Sequence, residues 1–184
     1  REFVDAVSEM HDGYDAQSAL SHVSRERQRV AMAKLPRVVE HVESVLEQED
    51  AVVVFAHHHV VVDGLREAFA GRSVVHDGRA STKQKDAAVR DFTDGKAKVF
   101  IGGLESAAVG LNLQVASTVV FAELSWVPGT MVQAEDRLHR IGQKSSVLSQ
   151  ILTLEGSIDA LVANTLVRKM EIAETLLDTR AGTR

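Results

Sequence analysis

The chain has 184 residues, of which 45% are hydrophobic, so a single globular domain with its own core is expected rather than disorder. The absence of cysteine excludes disulfides, thiolate catalysis and zinc sites that need sulfur ligands, and the net charge of -5 argues against a dedicated basic module for binding DNA. No apolar run approaches the length of a membrane span and no signal-peptide pattern is present, so we expect an intracellular protein without membrane contact.

The first third of the chain predicts helices followed by a buried strand. The chain begins at Arg1 rather than at a methionine, so we expect it to be a piece of a longer protein. Within residues 1–32 the sequence predicts only a short helix around Arg25–Met32. From Lys34 the apolar residues recur at helical spacing, with Pro36 in the first turn, where its missing N–H costs nothing. Ala51–Ala56 is a continuous apolar run, which is typical of a strand covered on both faces.

The rest of the chain alternates predicted strands and helices. The strands are expected at Ser73–His76, Lys98–Gly102, Thr118–Ala122 and Val147–Leu154. One helix is expected at Val60–Ala70, and a second from an N-cap at Ser81 through Phe92, where Gly95 helps to end the helix. Two further helices are expected to begin at Pro128 and after an N-cap at Ser157. The last helix carries an apolar stripe that includes Leu161, Val162, Leu166, Ile172 and Leu176.

This alternation predicts an α/β fold with a mostly parallel sheet. We divide the chain into a leading segment at residues 1–32, a lobe at 33–155, and a C-terminal helix with a short tail at 156–184. Ligands of such sheets collect beyond the carboxyl ends of the strands. Chemistry is therefore expected in the turns that follow Ala56, His76, Gly102 and Ala122.

The segment 133–143 has the sequence Q-A-E-D-R-L-H-R-I-G-Q. In a helix, Gln133, Arg137 and Arg140 would stand at i, i+4 and i+7 on one face. Two guanidinium groups one turn apart repel each other unless an anion lies near them, and their planar donors match phosphate oxygens. This spacing is compatible with a phosphate clamp, and equally with a solvated helix face of mixed charge.

This segment resembles motif VI of the SWI/SNF-type branch of superfamily 2 helicases, in which Q-A-x-D-R-x-x-R-I-G-Q is diagnostic. The resemblance implies a RecA-like three-layer fold, as found in the second lobe of such P-loop NTPases, which itself lacks a P-loop. It also implies that Arg140 is the catalytic arginine finger toward the γ-phosphate of ATP, with Arg137 as its companion. Gln133 would orient one or both arginines or touch the nucleotide directly.

Three adjacent histidines, His57, His58 and His59, follow the first predicted strand. Metal binding is one interpretation, but neighbouring strand residues point to opposite faces and no Asp or Glu stands at ligand spacing, so no metal is predicted. The run from Val54 through Asp63 resembles motif IV of the annealing-helicase subfamily. The resemblance implies a loop near nucleic acid, with DNA contacts from His57 and His58.

The sequence Asp77-Gly78-Arg79-Ala80-Ser81 predicts an Asp-Gly turn followed by a helix N-cap. It resembles the D-G-S/T segment of the same family, with Arg79 where Ser is common and Lys85 where Arg is common. The resemblance implies DNA contacts at Gly78 and Arg79.

Residues 105–113 resemble motif V, with Ala108 in place of a glycine. Small residues there would let the backbone approach a phosphate, although a tightly packed strand-to-helix turn explains them equally well. The resemblance implies DNA contacts from Ser106 and Asn112 and a nucleotide contact at Gly110.

Residues 121–129 lead into residues 133–143, which we call the arginine segment. They again resemble the annealing-helicase subfamily. Trp126, the only tryptophan, is expected to be a packing anchor rather than a base-stacking residue. Glu123 stands at a strand end, from which it either reaches the nucleotide or holds an arginine, and the sequence leaves both open.

The chain lacks a G-x-x-x-x-G-K-[ST] phosphate loop and a D-E-x-H string, so it is not expected to hydrolyse ATP alone. The resemblance places ATP and Mg²⁺ mainly on a first, N-terminal RecA-like lobe of the same polypeptide. Double-stranded or branched DNA is then the other partner of a DNA-dependent ATPase that translocates, remodels or anneals DNA, in the cytoplasm or nucleoid of a bacterium or the nucleus of a eukaryote. The alternative is a non-catalytic α/β interaction module derived from a helicase lobe.

Overall fold

The computed structural model describes residues 16–106, 113–125, 130 and 147–165, with side chains described from residue 21 onward. The helices are α1 (Ala16–Leu46), α2 (His59–Ala68), α3 (Thr82–Thr93) and α4, of which residues 158–165 are described. The strands are β1 (Val52–Ala56), β2 (Ser73–His76), β3 (Val99–Gly103), β4 (Thr118–Phe121) and β5 (Leu148–Ile151).

The five strands form one sheet in the order β2-β3-β1-β4-β5, and every neighbouring pair is parallel. The predicted α/β class and parallel sheet are therefore confirmed. Because all the strands run the same way, the loops that follow them emerge at one edge, which we call the carboxyl edge. β1 lies at the centre of the sheet, so the loop after it lies between the loops after β3 and β4.

Both faces of the sheet are covered, which gives three layers. Val53 and Phe55 of β1 belong to one core cluster, with Phe92 of α3 and Ile158 of α4. Val52, Val54 and Ala56 point to the opposite face, where they pack among residues of α1 and α2. Every residue of β1 is buried. A strand with no solvent face has no polar positions, and for that reason the continuous apolar run identified it correctly.

Helix α1 differs from the prediction. It is one helix of 31 residues, so Pro36 lies in its interior rather than in a first turn, and the short helix expected at Arg25–Met32 is part of it. Its buried stripe includes Arg27 and Lys34 as well as apolar residues. A pattern based on apolar residues alone cannot reveal these two charged positions, so the prediction began the helix too late. In the described part of the chain, no helix combines the length and the apolar character that crossing a membrane requires.

The other predicted elements that fall on described residues agree with the structure to within a few residues. Ser81 and Gln84 form a reciprocal capping box at the start of α3, and Gly95 follows its end with a φ of 74°. The Ser157 hydroxyl accepts a hydrogen bond from the Asp159 amide at the start of α4, as its predicted N-cap role requires.

The apolar stripe predicted for α4 is wrong at Leu161, which is 48% exposed, whereas Val162 is buried. Adjacent helical residues point about 100° apart, so the two cannot both face the core directly. Leu166, Ile172, Leu176 and Pro128 lie outside the described residues.

Candidate functional site

Glu123 organises the centre of the carboxyl edge. Its side chain extends from the loop after β4 and is almost fully buried, at 2% exposure. One carboxylate oxygen accepts hydrogen bonds from the backbone N–H groups of His57 and His58, each at 2.8 Å, and the other lies 2.5 Å from His58 Nδ1. The carboxylate therefore joins the loop after β4 to the loop between β1 and α2.

The imidazole of His58 has one nitrogen committed to that carboxylate and one that is not. Its Nε2 is buried and has no hydrogen-bond partner, the one such side-chain atom found among the described residues. The His57 and His58 rings meet edge to face, with centroids 4.9 Å apart. In the described part of the chain, no group of three or more His, Cys, Asp or Glu residues is arranged to hold a metal ion.

Arg27 of α1 approaches the same centre from the leading helix. It is 7% exposed, and its guanidinium donates a hydrogen bond to the carbonyl oxygen of Leu124. Burial lowers the pKa of Arg27, although the carboxylates of Glu123 and Asp159 act in the opposite direction. Burial also lowers the pKa of His57, and the Arg27 charge lowers it further, so His57 favours the neutral form.

Lys34 lies two turns further along the same face of α1. Its ammonium group donates to the Asp159 carboxylate and, at 2.7 Å, to the carbonyl oxygen of Leu152. Both side chains of this ion pair are nearly inaccessible to solvent. Because it contacts the loop after β5 and the first turn of α4, the pair fixes the end of the sheet to the leading helix. We call Arg27, Lys34, Glu123 and Asp159 the buried charge network.

Sequence reasoning missed three members of this network. Arg27 and Lys34 stand at i and i+7, which places them on one helix face, and residues 30, 31 and 38 between and beyond them are apolar. Two cations within an otherwise apolar stripe are the signal that could have identified them. Their partners could not be identified, because Leu124 and Asp159 lie 97 and 125 residues further along the chain.

A second ionic cluster holds the turn after β2. Asp77 Oδ1 accepts a hydrogen bond from the Arg79 amide at 2.9 Å, which is the local turn predicted from the sequence. The Arg79 guanidinium then donates to Asp77 Oδ2 from Nε and Nη2, at 2.8 and 2.6 Å. It also donates to both carboxylate oxygens of Asp63 on α2, at 2.9 Å each. We call Asp63, Asp77 and Arg79 the ionic clasp.

Ser106 lies between the loops after β2 and β3. Its hydroxyl is 2.8 Å from the His76 carbonyl oxygen and 2.9 Å from that of Gly103, and either can accept its hydrogen. The same oxygen lies 3.3 Å from His76 Nδ1. Burial lowers the pKa of His76, which is 2% exposed. The Ser106 side chain therefore stabilises the edge of the sheet through contacts within the protein.

An open cleft of about 280 Å³ lies at this edge. One wall comes from the β1–α2 side, with His57 and His59, and the other from the β2–α3 side, with Gly78 and Lys85. Its floor includes Gly103 and Ser106. Three residues predicted to contact DNA, His57, Gly78 and Ser106, thus line one concave surface.

The other residues that were predicted to form the site lie either beside the cleft or outside the described residues. His58 lies beside this cleft and is held by Glu123, and Arg79 lies next to it in the ionic clasp. Gln133, Arg137, Arg140, Gly110 and Asn112 lie outside the described residues, as does Trp126.

Comparison with known proteins identifies the family of the chain. Residues 33–142 match the model of the helicase conserved C-terminal domain. The chain is 35% identical over 148 residues to SWI/SNF-related matrix-associated actin-dependent regulator of chromatin subfamily A-like protein 1 of Bos taurus, which covers 78% of this chain and 16% of that protein. It is 34% identical over 169 residues to DNA annealing helicase and endonuclease ZRANB3 of Homo sapiens, with 89% of this chain and again 16% of the relative covered.

The structural comparison agrees with the sequence comparisons. The fold matches the crystal structure of the C-terminal part of the Fun30 ATPase domain with a TM-score of 0.64 and 25% identity, over 71% of this chain and 44% of that one. The three-layer parallel fold is therefore the RecA-like fold that the resemblance implied. The chain spans about a sixth of the length of the curated relatives named above. It belongs to the helicase conserved C-terminal domain family and is a relative of the SWI/SNF-type annealing helicases.

Proposed function

We propose that this chain is the second motor lobe of a DNA-dependent ATPase of the SWI/SNF family. The observation that carries the proposal is that Glu123 joins two loops at the carboxyl edge, beside the cleft. Glu123 ties the loop after β4 to the loop before α2 through three contacts, and the chain then continues toward the arginine segment. The buried carboxylate of Glu123 would fix the position, relative to the cleft, of the chain that precedes the arginine segment.

In this proposal ATP binds between two lobes. The first lobe, elsewhere in the polypeptide, would supply the phosphate loop and hold Mg²⁺, since this sequence contains no phosphate loop. Arg140 would reach the γ-phosphate, Arg137 would neutralise further charge, and Gln133 would orient them. Gly110 would lie near the nucleotide. Glu123 would act by positioning, because both of its oxygens already accept hydrogen bonds within the protein.

Double-stranded or branched DNA would contact the cleft at the carboxyl edge. Gly78 is exposed, with no atom near the position of a Cβ, so its backbone is accessible to a phosphate. His57, Ser106 and Asn112 would form the remainder of this surface. His58, whose ring nitrogens are bound to Glu123 or buried, would contribute through the loop that it belongs to. Closure of the lobes on ATP and reopening after hydrolysis would then move the duplex past these loops.

Replacing Arg140 tests the motor function. In the full-length protein, we expect Arg140→Ala to lower DNA-stimulated ATP hydrolysis by about 10³ to 10⁵, the typical effect of losing an arginine finger. The matched control is Arg90→Ala, which removes an exposed arginine from the last turn of α3, at the opposite edge of the sheet.

Steady-state ATPase assays with and without DNA, together with circular dichroism to check folding, separate the outcomes. Turnover close to that of the unmodified protein in Arg140→Ala would rule out the finger and would favour the non-catalytic module. This chain on its own should show no ATPase activity with or without DNA.

A further inference from the structure

We propose that Arg79 is a positioning residue that sets the width of the cleft at the carboxyl edge, rather than a residue that binds DNA phosphate. The proposal rests on the proposed function in one respect, namely that DNA enters this cleft. Its basis is the ionic clasp, in which a single guanidinium joins Asp77 of the turn after β2 to Asp63 of α2.

The donors of Arg79 are largely occupied. A guanidinium has five N–H groups, and here Nε, Nη1 and Nη2 together make four hydrogen bonds to carboxylate oxygens at 2.6 to 2.9 Å. The fork faces Asp63 with two parallel bonds, the geometry in which arginine pairs most strongly with a carboxylate. One N–H of Nη1 is left, so a phosphate could be bound through two donors only if at least one of these bonds were broken.

The charge of the clasp also disfavours a phosphate. Arg79 is paired with two carboxylates, and a second cation, Arg66, lies 3.8 Å from Asp63, so the positive charge of Arg79 is offset within the protein. Hydrogen bonds from Arg79 lower the pKa of Asp63, and they lower the pKa of Asp77 against the opposing effect of burial, so both acids are ionised at neutral pH. An isolated arginine would attract the DNA backbone strongly, whereas the two carboxylates bound to Arg79 weaken that attraction.

The clasp spans the two walls of the cleft. Asp63 belongs to α2, which begins at the His59 wall, and Asp77 immediately precedes Gly78 on the opposite wall. Ser81, four residues beyond Asp77, begins α3, which carries Lys85 on the same wall. A bond across this gap fixes the distance between Gly78 and α2, and therefore the shape that a DNA backbone would meet.

Replacing Asp63 on α2 distinguishes a positioning role of Arg79 from a phosphate-binding role. We would measure the binding of a fluorescently labelled forked duplex to the full-length protein and to its Asp63→Asn, Arg79→Gln and double variants. Glu67→Gln is the matched control. Glu67 is an exposed acid one turn further along α2, and it neither belongs to the clasp nor lines the cleft. It reports the effect of removing one negative charge from this helix.

If Arg79 positions the turn, Asp63→Asn weakens DNA binding even though it removes a negative charge. We expect about two- to fivefold weaker binding for Asp63→Asn and for Arg79→Gln, the range of a partly exposed ion pair, and no further loss in the double variant. Glu67→Gln should bind as well as the unmodified protein or slightly better. Asp63→Asn should leave the dependence of affinity on salt unchanged.

Two results would overturn the proposal. The first is tighter binding by Asp63→Asn than by Glu67→Gln, since a phosphate-binding Arg79 would be released by that change. The second is a loss of about 0.9 in the slope of log affinity against log salt for Arg79→Gln alone, the amount expected for one phosphate contact on B-form DNA.

Amide hydrogen exchange tests the clasp without DNA, so its failure can be told apart from failure of the proposed function. Exchange at residues 78–81 should become faster in Asp63→Asn and Arg79→Gln and stay unchanged in Glu67→Gln. If exchange behaves in this way but none of the proteins binds DNA, the clasp stands and the proposed DNA site is wrong. Unchanged exchange in both clasp variants would refute the clasp itself.

Discussion

The buried charge network and the ionic clasp both fix loops at the carboxyl edge, but they do so in different surroundings. The side chains of Lys34 and Asp159 are 5% and 6% exposed, whereas those of Arg79 and Asp63 are both 41% exposed. The network lies on the β4–β5 side, which leads to the arginine segment, and the clasp lies on the β2 side of the cleft. One side of the edge is therefore held by a buried ion pair. The other is held by bonds that water can reach at Arg79 and Asp63, although the third member of the clasp, Asp77, is 4% exposed.

This contrast in burial gives the two clusters opposite energetic characters. A buried ion pair contributes little net stability, but removing one partner leaves a desolvated charge and costs about 3 to 5 kcal/mol. An exposed pair is screened by water and contributes about 0 to 1 kcal/mol. The network is therefore suited to a position that must not change, and the clasp to one that adjusts to a ligand.

The largest expected effect comes from breaking the network at Lys34. We expect Lys34→Met to lower the free energy of unfolding by about 3 to 5 kcal/mol, because Asp159 then stays buried and loses the cation that is hydrogen-bonded to it. Urea denaturation followed by circular dichroism measures the change. Lys96→Met is the control, since Lys96 pairs with Asp91 and Asp94 at the surface and should be replaceable without measurable loss.

A second variant tests whether the loss in Lys34→Met arises from the orphaned charge. Replacing both partners, as Lys34→Met with Asp159→Leu, should recover much of the stability, because no unpaired charge remains. If Lys34→Met is no more harmful than Lys96→Met, the ion pair is not buried as described and the contrast with the clasp disappears.

A smaller effect is expected at Glu123. In Glu123→Gln the amide oxygen can still accept from the backbone of His57 and His58, but the amide nitrogen faces His58 Nδ1 and the charge beside Arg27 is lost. We expect a loss of about 1 to 3 kcal/mol, the cost of leaving buried polar groups unsatisfied. The control is Glu105→Gln, an exposed acid at the same edge, which should have almost no effect on urea denaturation.

The sheet could be predicted from the sequence because burial on both faces leaves a local signal. Val52–Ala56 contains no polar residue, and Ser73–His76 matched its predicted bounds in full. The start of α3 was equally local, since Ser81 and its partner Gln84 are three residues apart. Each of these features depends on residues that are neighbours in the chain.

The ionic contacts could not be predicted, because they join residues that are distant in the chain. Nothing near Arg79 in the sequence indicates that Asp63 lies within hydrogen-bonding distance, and the DNA contact that the resemblance implies for Arg79 takes no account of this partner. The charges of Arg27 and Lys34 are likewise visible in the sequence, whereas their partners Leu124 and Asp159 are not. Charge at a position is visible in the sequence, whereas the partner that decides its role depends on the fold.

The smallest expected effect is the pH dependence of the clasp. Hydrogen bonds from Arg79 lower the pKa of Asp63 from its ordinary value of 3.8, and the pKa of Asp77 is also lowered although burial alone would raise it. Both acids lose their protons more readily in the folded than in the unfolded chain. The stability that they contribute is therefore present above the ordinary pKa and is lost as the pH falls through the folded-state values.

Arg79→Gln should accordingly make the chain less sensitive to acid. We expect the decrease in the free energy of unfolding between about pH 6 and about pH 3 to be smaller in this variant. The exposed Asp63 pair accounts for less than about 1 kcal/mol of this difference, and the buried Asp77 adds to it. Arg66→Gln is the comparison, since Arg66 lies 3.8 Å from Asp63 with a side chain that is 66% exposed and lowers the pKa of Asp63 through its charge alone, so this variant should reduce the decrease less than Arg79→Gln does. An equal decrease in all three proteins would mean that the clasp contributes no stability, and its role would then be limited to the shape of the cleft.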